Sequence, residues 1–155
     1  MTETITLTAG MFADSALKAS AVQGVTGLQT PCIDLPDGST SLILVNTPVP
    51  TNWNGAPITL QMIYESDIMN GQFNIATTKD GKITDSFVNL PQELITSSLA
   101  SPIGVNIPSS HSVLLNFNAQ LSPDTLDLSI RRSGAQDTAS GVMQVIAVRL
   151  VFPVS

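Results

Sequence analysis

The sequence predicts an all-β domain, an antiparallel β-sandwich of jelly-roll type with about eight strands and an N-terminal arm. Two observations favour this class. The C-terminal part holds two runs with strand periodicity separated by a polar loop, and from residue 35 onward short apolar runs alternate with turn residues. No repeat, linker or low-complexity tract divides the chain. We therefore expect one domain, with an arm over residues 1–34 and a sandwich over residues 35–155.

The two C-terminal runs differ in their burial pattern. In the first run, Leu126, Leu128 and Ile130 alternate with polar residues, which is typical of a strand with one face in water. The second run is apolar on both sides and so predicts an inner strand. Strict alternation places one set of side chains on one face (Val142, Ile146, Val148, Leu150 and Phe152) and another set on the opposite face (Met143, Val145, Ala147 and Val151).

The middle of the chain supplies the remaining strands and their turns. Strand patterns cover residues 41–47, 58–65, 72–77, 82–89 and 113–121. The Asp80-Gly81 pair within residues 79–82 predicts a hairpin with a type I′ turn, and Asn70-Gly71 predicts a second hairpin. Pro91 is suited to the first position of a helix, so residues 91–95 are expected to form a single helical turn.

The N-terminal segment allows two interpretations. Residues 4–9 alternate hydroxyl and aliphatic side chains, as in an edge strand or an arm that clasps a neighbour. Residues 14–21 are either a short helix capped by Asp14 or part of an extended arm. We expect residues 2–25 to be an attachment element outside the core. The candidate interface combines its apolar side chains with one arginine of the last strand: Ile5, Leu7, Met11, Phe12, Leu17 and Arg149.

Composition excludes several classes of partner. The formal charge is −6 and the chain has only six basic residues, so it is not expected to bind nucleic acid. No apolar run approaches the roughly 18 residues of a membrane span, and no export signal is recognisable. Charged residues make up only 12%, about half the usual share, which predicts a surface made largely of hydroxyl and amide groups or one that partners largely cover. We expect a homotrimer or another small homo-oligomer.

Few residues offer catalytic or metal-binding chemistry. His111 has no second histidine or cysteine nearby in sequence, and a zinc site needs three or four ligands, so we expect a rim residue in a strand-entry turn. The single Cys32 cannot form an internal disulfide. Glu65 and Asp67 are interpreted as surface charges at a strand end, because a glycosidase needs facing carboxylates in an aromatic-walled cleft. The sequence therefore predicts no enzyme, no metal and no cofactor.

Four other polar or aromatic positions have a specific expectation. Asp137 is predicted to form an Asx-type turn with nearby amides, in preference to a calcium loop. Arg131 and Arg132 are adjacent in a strand and should point to opposite faces. Arg149 is alone in an apolar strand, which predicts a buried, paired arginine or one at a subunit boundary. Trp53 and Tyr64 are the candidates for stacking on a ligand, although a lid over the sandwich end is the favoured role for Trp53.

A resemblance covers roughly residues 40–153. A Val-Pro and Trp loop leads into a strand that ends in an aromatic residue, and an Arg-rich strand, an Asp-Thr loop and a Val-Arg-Leu strand close the domain. The positions that carry it are Val49, Pro50, Trp53, Tyr64, Arg131, Asp137, Thr138, Arg149 and Phe152. This pattern resembles a jelly-roll module of tailed-bacteriophage virion proteins, notably those of cyanobacterial phages.

The resemblance implies a trimeric structural role on the virion, which is assembled in the host cytoplasm. Its partners would be further copies of the chain and the major capsid protein or other virion proteins. Family members are often the last module of a longer chain, and a start at Met1 favours a small capsid cement or decoration protein. The alternatives are a tail fibre, a tail tip, or a carbohydrate- or receptor-binding jelly-roll module.

Overall fold

The chain folds into strands throughout the part that can be described. The structure is a computed structural model, and it describes residues 1–8, 19–23, 29–36, 42–66, 71–83, 88–89, 93–100, 107–117, 123–132 and 137–155. Eleven strands lie within these ranges: β1 (Thr2–Thr8), β2 (Ala19–Gln23), β3 (Gln29–Leu35), β4 (Leu42–Pro48), β5 (Ile58–Ser66), β6 (Gln72–Ile83), β7 (Val88–Asn89), β8 (Glu93–Ala100), β9 (Ser109–Leu115), β10 (Thr125–Arg132) and β11 (Met143–Pro153). The described residues contain no helix that could cross a membrane.

Two antiparallel sheets form a β-sandwich, as the sequence predicts. Sheet A has six strands in the order β2-β3-β11-β5-β9, with β1 also paired to β11. β5 lies along one side of β11, while β3 and β1 share the other side, β3 at residues 143–145 and β1 at residues 147–153. The prediction of an inner strand for the C-terminal run is therefore confirmed.

A β-bulge in β11 corrects the predicted assignment of its faces. The pairing with β5 shifts by one residue between Val145 and Ala147. Before the shift, Met143 and Val145 point into the core, and after it Val148 and Leu150 do so. Strict alternation would have put these two pairs on opposite faces, but the extra residue of a bulge reverses the phase.

Sheet B has the order β4-β10-β6-β7, and β8 also pairs with β6. The hairpin predicted at residues 79–82 is wrong, because β6 runs through it. Asp80 and Gly81 pair with Asp127 and Leu126 of β10, so the long register with β10 outweighs the local turn preference of Asp-Gly. The helical turn predicted at residues 91–95 is also wrong from Glu93 onward, since these residues pair with β6 as part of β8.

The hairpin predicted at Asn70-Gly71 is wrong as well, because β5 and β6 belong to different sheets. Gly71 nonetheless has the positive φ of +71° that glycine was expected to supply. Asn70 lies outside the described residues. In the N-terminal segment, Ala19–Gln23 is a strand, so the helical alternative fails there, and residues 14–18 lie outside the described part of the chain.

β1 belongs to sheet A. Of the two structures predicted for the N-terminal segment, residues 2–8 therefore form the edge strand. It pairs with β11 over seven residues, from Thr2 opposite Pro153 to Thr8 opposite Ala147. The side chain of Leu7 is only 6% exposed and belongs to the core. A detached arm is therefore not the state of residues 2–8.

The core fills the space between the two sheets. It is built from aliphatic side chains of both inner faces and a few large ones such as Phe73 and Phe152, which are fully buried. Tyr64 of β5 meets Phe73 of β6 edge to face, with ring centroids 6.2 Å apart. This contact places β5 over β6 and so aligns the two sheets.

Candidate functional site: an uncharged side of the sandwich

The edge strands β8 and β9 bound the same side of the sandwich. β5 lies over β6, while Arg132 of β10 reaches the Leu35 carbonyl oxygen of β3 at the other side. Phe117, just after β9, lies under the Lys79 ammonium of β6 at 4.2 Å from its ring centroid. β9 pairs with β5 on the side away from β11, and β8 pairs with β6 on the side away from β10. Among the described strands, neither pairs with a second strand.

The composition of these two edges is unusual. Natural edge strands are commonly protected by charged side chains, proline or bulges. Within β8 only Glu93, its first residue, is charged, and β9 has no Asp, Glu, Lys, Arg or Pro. Leu94 is 55% exposed and Leu114 is 58% exposed; apart from Met1, they are the exposed large apolar residues of the described chain.

The inner residues of this side are half-buried and incompletely bonded. Ile95 and Val113 pack against the core from β8 and β9. Ser97 Oγ and His111 Nε2 are buried, and neither atom has a hydrogen-bond partner. Desolvation by burial lowers the pKa of His111, which favours the neutral ring. On the side we call the β8/β9 side, Glu93 is the one charged residue of the two edge strands, and Lys79 of β6 lies behind it over Phe117. His111 sits within β9 and not in a turn before it, which corrects the sequence expectation.

Of the interface residues suggested by the sequence, the structure describes Ile5, Leu7 and Arg149. Leu7 lies in the core and Ile5 packs partly against it, so neither is a free docking side chain. Met11, Phe12 and Leu17 lie outside the described residues. Arg149 is exposed on the outer face of sheet A between Thr6 and Gln61, so the expectation of a buried arginine is wrong, while a subunit boundary stays a prediction.

The two aromatic candidates for ligand stacking are engaged internally. Tyr64 is only 4% exposed, so its ring is not accessible to a ligand. Trp53 is half-buried, packs edge to face on Phe117 with centroids 6.1 Å apart, and donates from Nε1 to the Ala56 carbonyl oxygen at 2.9 Å. Its backbone also forms a bridge with Val154. These are the contacts of a lid over the end of the sandwich.

A buried polar centre, which the sequence did not predict, surrounds Arg132. The two arginines of β10 do point to opposite faces: Arg131 is exposed, while the Arg132 side chain is 2% exposed. Arg132 Nε and Nη2 donate to Asp137 Oδ2 and Oδ1 at 2.6 and 2.8 Å. The guanidinium also donates to the carbonyl oxygens of Leu35, Ala139 and Gly141. Its carbon lies 4.8 Å from the ring centroid of Phe73.

Asp137 completes this centre. It accepts the Ala139 amide on Oδ1 at 3.0 Å, which is the predicted Asx-type turn, and the Asn74 amide on Oδ2 at 3.1 Å. Desolvation is the largest influence and would raise the pKa of Asp137. The hydrogen bonds from Arg132, Asn74 and Ala139, together with the positive charge, outweigh it and lower the pKa below its ordinary value. The buried ion pair thus holds the loop before β11 against the start of β6.

Glu65 is not the surface charge that the sequence suggested. It is only 3% exposed, near the end of β5, and Asp67 lies outside the described residues. Within the described part of the chain, no group of three His, Cys, Asp or Glu side chains is placed to hold a metal ion. Cys32 is buried, is the single cysteine of the chain, and its thiol donates to Asp34 Oδ1 at 3.6 Å.

The β8/β9 side was missed because of two wrong boundaries. Residues 91–95 were expected to be helical, and the strand around Val113 was expected to begin four residues later than it does. The signal was nevertheless present. Leu-Ile-Thr-Ser-Ser-Leu and Ser-His-Ser-Val-Leu-Leu are uncharged strand-like runs, and an uncharged run that ends as an edge is a candidate interface.

The chain matches no protein-family model and no curated sequence. Solved structures with a similar fold do exist. The xylan-binding module CBM15 has a TM-score of 0.53 at 9% identity, with 100% of this chain and 99% of that chain covered. The CBM22-1-GH10 modules of Clostridium thermocellum xylanase 10B, complexed with xylohexaose, give a TM-score of 0.55 at 10% identity.

The match to the xylanase covers 94% of this chain, which spans only 27% of that chain. The VP2 subviral particle of infectious bursal disease virus has a TM-score of 0.47 at 13% identity, over 97% of this chain and 33% of that one. At these identities the likeness shows the fold alone. It agrees with the jelly-roll β-sandwich predicted from the sequence.

Proposed function

We propose that the protein is a non-enzymatic structural component of a bacteriophage virion, a capsid cement or decoration protein that assembles as a trimer on the particle surface. The observation that carries this proposal is the β8/β9 side. Two edge strands whose one charged residue is Glu93 each expose a leucine, Leu94 on the outer face of sheet B and Leu114 on the outer face of sheet A. Such a side is suited to bury apolar area and to pair main-chain groups with another chain.

The virion assignment is supported by the sequence resemblance. The positions that carry it, among them Arg131, Asp137 and Phe152, lie in the strands and the loop that close the sandwich. A chain with 12% charged residues and 43% hydrophobic residues is also suited to a closed oligomer, in which symmetric contacts cover apolar surface.

Light scattering after gel filtration tests the self-assembly. The native chain should run at three times its mass of 16.3 kDa at micromolar concentration. The double variant Leu94→Lys, Leu114→Lys should dissociate to the monomer while its thermal unfolding stays cooperative, because two buried lysines at an interface are costly. Ser140→Lys, at an exposed loop position, is the control and should remain assembled.

Two results would count against this proposal. A native chain that is a clean monomer at micromolar concentration would contradict self-assembly. A double variant that remains a trimer would place the subunit contact elsewhere. The virion role is tested separately: the purified protein should co-sediment with phage capsids that lack it, and failure to bind any phage particle would contradict the cement assignment.

A second candidate function is glycan binding on the outer face of sheet B. Asn46, Asp127 and Asp80 stand in a row across β4, β10 and β6, and Asn46 donates to Asp127. The three residues are exposed or partly exposed, and their amide and carboxylate oxygens are acceptors for sugar hydroxyls. The xylan-binding module has the same kind of fold.

Calorimetry with xylohexaose and a panel of other oligosaccharides tests this second function. Binding that Asp80→Ala abolishes would support it, and Glu3→Ala on β1 serves as the control for loss of one carboxylate. Absence of heat with every oligosaccharide at millimolar concentration would leave virion assembly as the proposed function.

A further inference from the structure

An unusual polar pair lies on the outer face of sheet A. Alternate residues of β5 enter the core, including Met62 and Tyr64, so Glu65 points to the other face. Its cross-strand neighbour is Gln144 of β11, and the next neighbour in the same row is Asp34 of β3. Directly opposed residues of antiparallel strands have adjacent side chains on the same face.

The centre of this row is removed from water, while Asp34 and Gln144 are partly exposed as whole residues. Glu65 is only 3% exposed, and Cys32, which shares the outer face of β3 with Asp34, is fully buried. Glu65 Oε2 and Gln144 Oε1 are both buried and have no hydrogen-bond partner. Both atoms are acceptors when Glu65 is ionised, so two opposed residues of the β5–β11 ladder each bury an acceptor that has no hydrogen-bond partner.

The charges near Glu65 do not favour its ionised form. On β3, Asp34 adds a second carboxylate beyond Gln144, and the donor shown for it is the Cys32 thiol. On β9, the residues that pair with the end of β5 are Ser109 and Ser110, which are uncharged. Within the described chain Glu65 forms no ion pair. Desolvation by burial raises the pKa of Glu65 above its ordinary value.

We propose that Glu65 is a proton-binding site of the folded protein, in which the neutral carboxyl donates through Oε2 to Gln144 Oε1 and so joins β5 to β11. The proton comes from solvent and forms an O–H bond on the carboxylate, so no other reactant is needed. One uptake event satisfies both buried oxygens. It also removes the charge from a face that carries Asp34.

The direction of the pH effect follows from linkage. The folded state holds this proton more tightly than the unfolded state does. The stabilisation is therefore fully present below the ordinary glutamate pKa of 4.5 and is lost as the pH rises through the higher pKa of the folded state. Above the folded-state pKa, the ionised and unpaired carboxylate weakens the junction between β5 and β11.

The first test observes the proton directly. The chain has three glutamates, Glu3, Glu65 and Glu93, so carbon-13 labelling of glutamate gives three carboxyl signals in an NMR titration. Glu65→Gln removes one signal and identifies it. We expect that signal to titrate with a midpoint above 4.5. A midpoint at or below 4.5 would overturn the proposal, since it would show an ionised Glu65 satisfied by water or another donor.

The second test measures stability from pH 7 to pH 5. The melting temperature of the native chain should rise relative to that of Glu65→Gln, whose side-chain amide donates to Gln144 at every pH. Glu65→Met, which has a similar size but no donor, should melt below Glu65→Gln at both pH values. Glu3→Gln removes the same charge from an exposed site and is the control. A Glu65→Gln variant that melts no higher than Glu65→Met would contradict the hydrogen bond to Gln144.

Discussion

Two segments next to β11 are held in place in different ways. The loop of residues 137–141, just before the strand, is fixed by side-chain hydrogen bonds to Arg132 and Asp137. β1, along the later part of the strand, is fixed by main-chain pairing over seven residues. The position of the loop depends on the side chains of Arg132 and Asp137. The position of β1 depends on main-chain hydrogen bonds, which almost any sequence can form.

The burial of the two segments explains the contrast. The side chains of Arg132 and Asp137 are 2% and 1% exposed, so a missing partner would leave a charge in a dry interior. In β1 only Leu7 is buried and Ile5 is half-buried, while the threonines are exposed. Substitutions should therefore be severe and specific in the loop, and mild in β1 except at Leu7.

The largest effect is expected from Arg132→Met. It removes the guanidinium and leaves Asp137 buried without its ion-pair partner, and the carbonyl oxygens of Leu35, Ala139 and Gly141 lose their donor. Breaking a buried pair in this way costs about 3–5 kcal/mol of unfolding free energy. Urea unfolding measures it, with the exposed Arg131→Met as the control. Equal losses of unfolding free energy in the two variants would show that the buried ion pair does not stabilise the fold more than an exposed arginine does.

The close packing of this loop against β6 gives the next effect. Gly71 has a φ of +71°, and a Cβ there would lie 2.4 Å from the carbonyl oxygen of Thr138. Gly71→Ala should cost about 2–4 kcal/mol, because it adds the left-handed penalty to a shift of the loop backbone. Gly55 has a φ of +81° with nothing within 4 Å, so Gly55→Ala should cost only about 1–2 kcal/mol. Equal costs at the two glycines would contradict the close approach.

Acid should loosen the same loop. The folded pKa of Asp137 is lowered, so its contribution to stability is present above the ordinary value of 3.8 and is lost as the pH falls through the folded pKa. We expect a loss of about 1.5–3 kcal/mol, the range for hydrogen bonds to a charged group. Asp137→Asn should be less stable at pH 5 and lack this decline. A decline of the same size in both chains would assign it to other carboxylates.

The sequence predicted the class of fold and the inner position of β11 because both depend on apolar periodicity, which is local. It could not predict the bulge near Ile146 or the passage of β6 through Asp80-Gly81. Both are decided by register with strands far along the chain. For the same reason Asp137 could be recognised as a turn residue while its bond to Arg132 could not. The β8/β9 side could not be predicted, because only the strand order shows that β8 and β9 are edges of their sheets.

The smallest effect tests the weaker segment, β1. Deletion of a clasping arm would leave the sandwich intact, but residues 2–8 are a strand whose loss exposes one edge of β11. Leu7 packs in the core opposite Val148, so Leu7→Ala should cost about 2 kcal/mol, the low end for buried leucines, because an edge strand can relax around the gap.

Thr6→Ala, at the neighbouring exposed position, should change the unfolding free energy by less than about 0.5 kcal/mol. Removal of residues 1–8 should lower the melting temperature by more than Leu7→Ala does, since it also removes the ladder and leaves one edge of the hydrophobic strand β11 unpaired, which promotes aggregation. If the truncated chain instead melted as the native chain does, β1 would be dispensable for the fold.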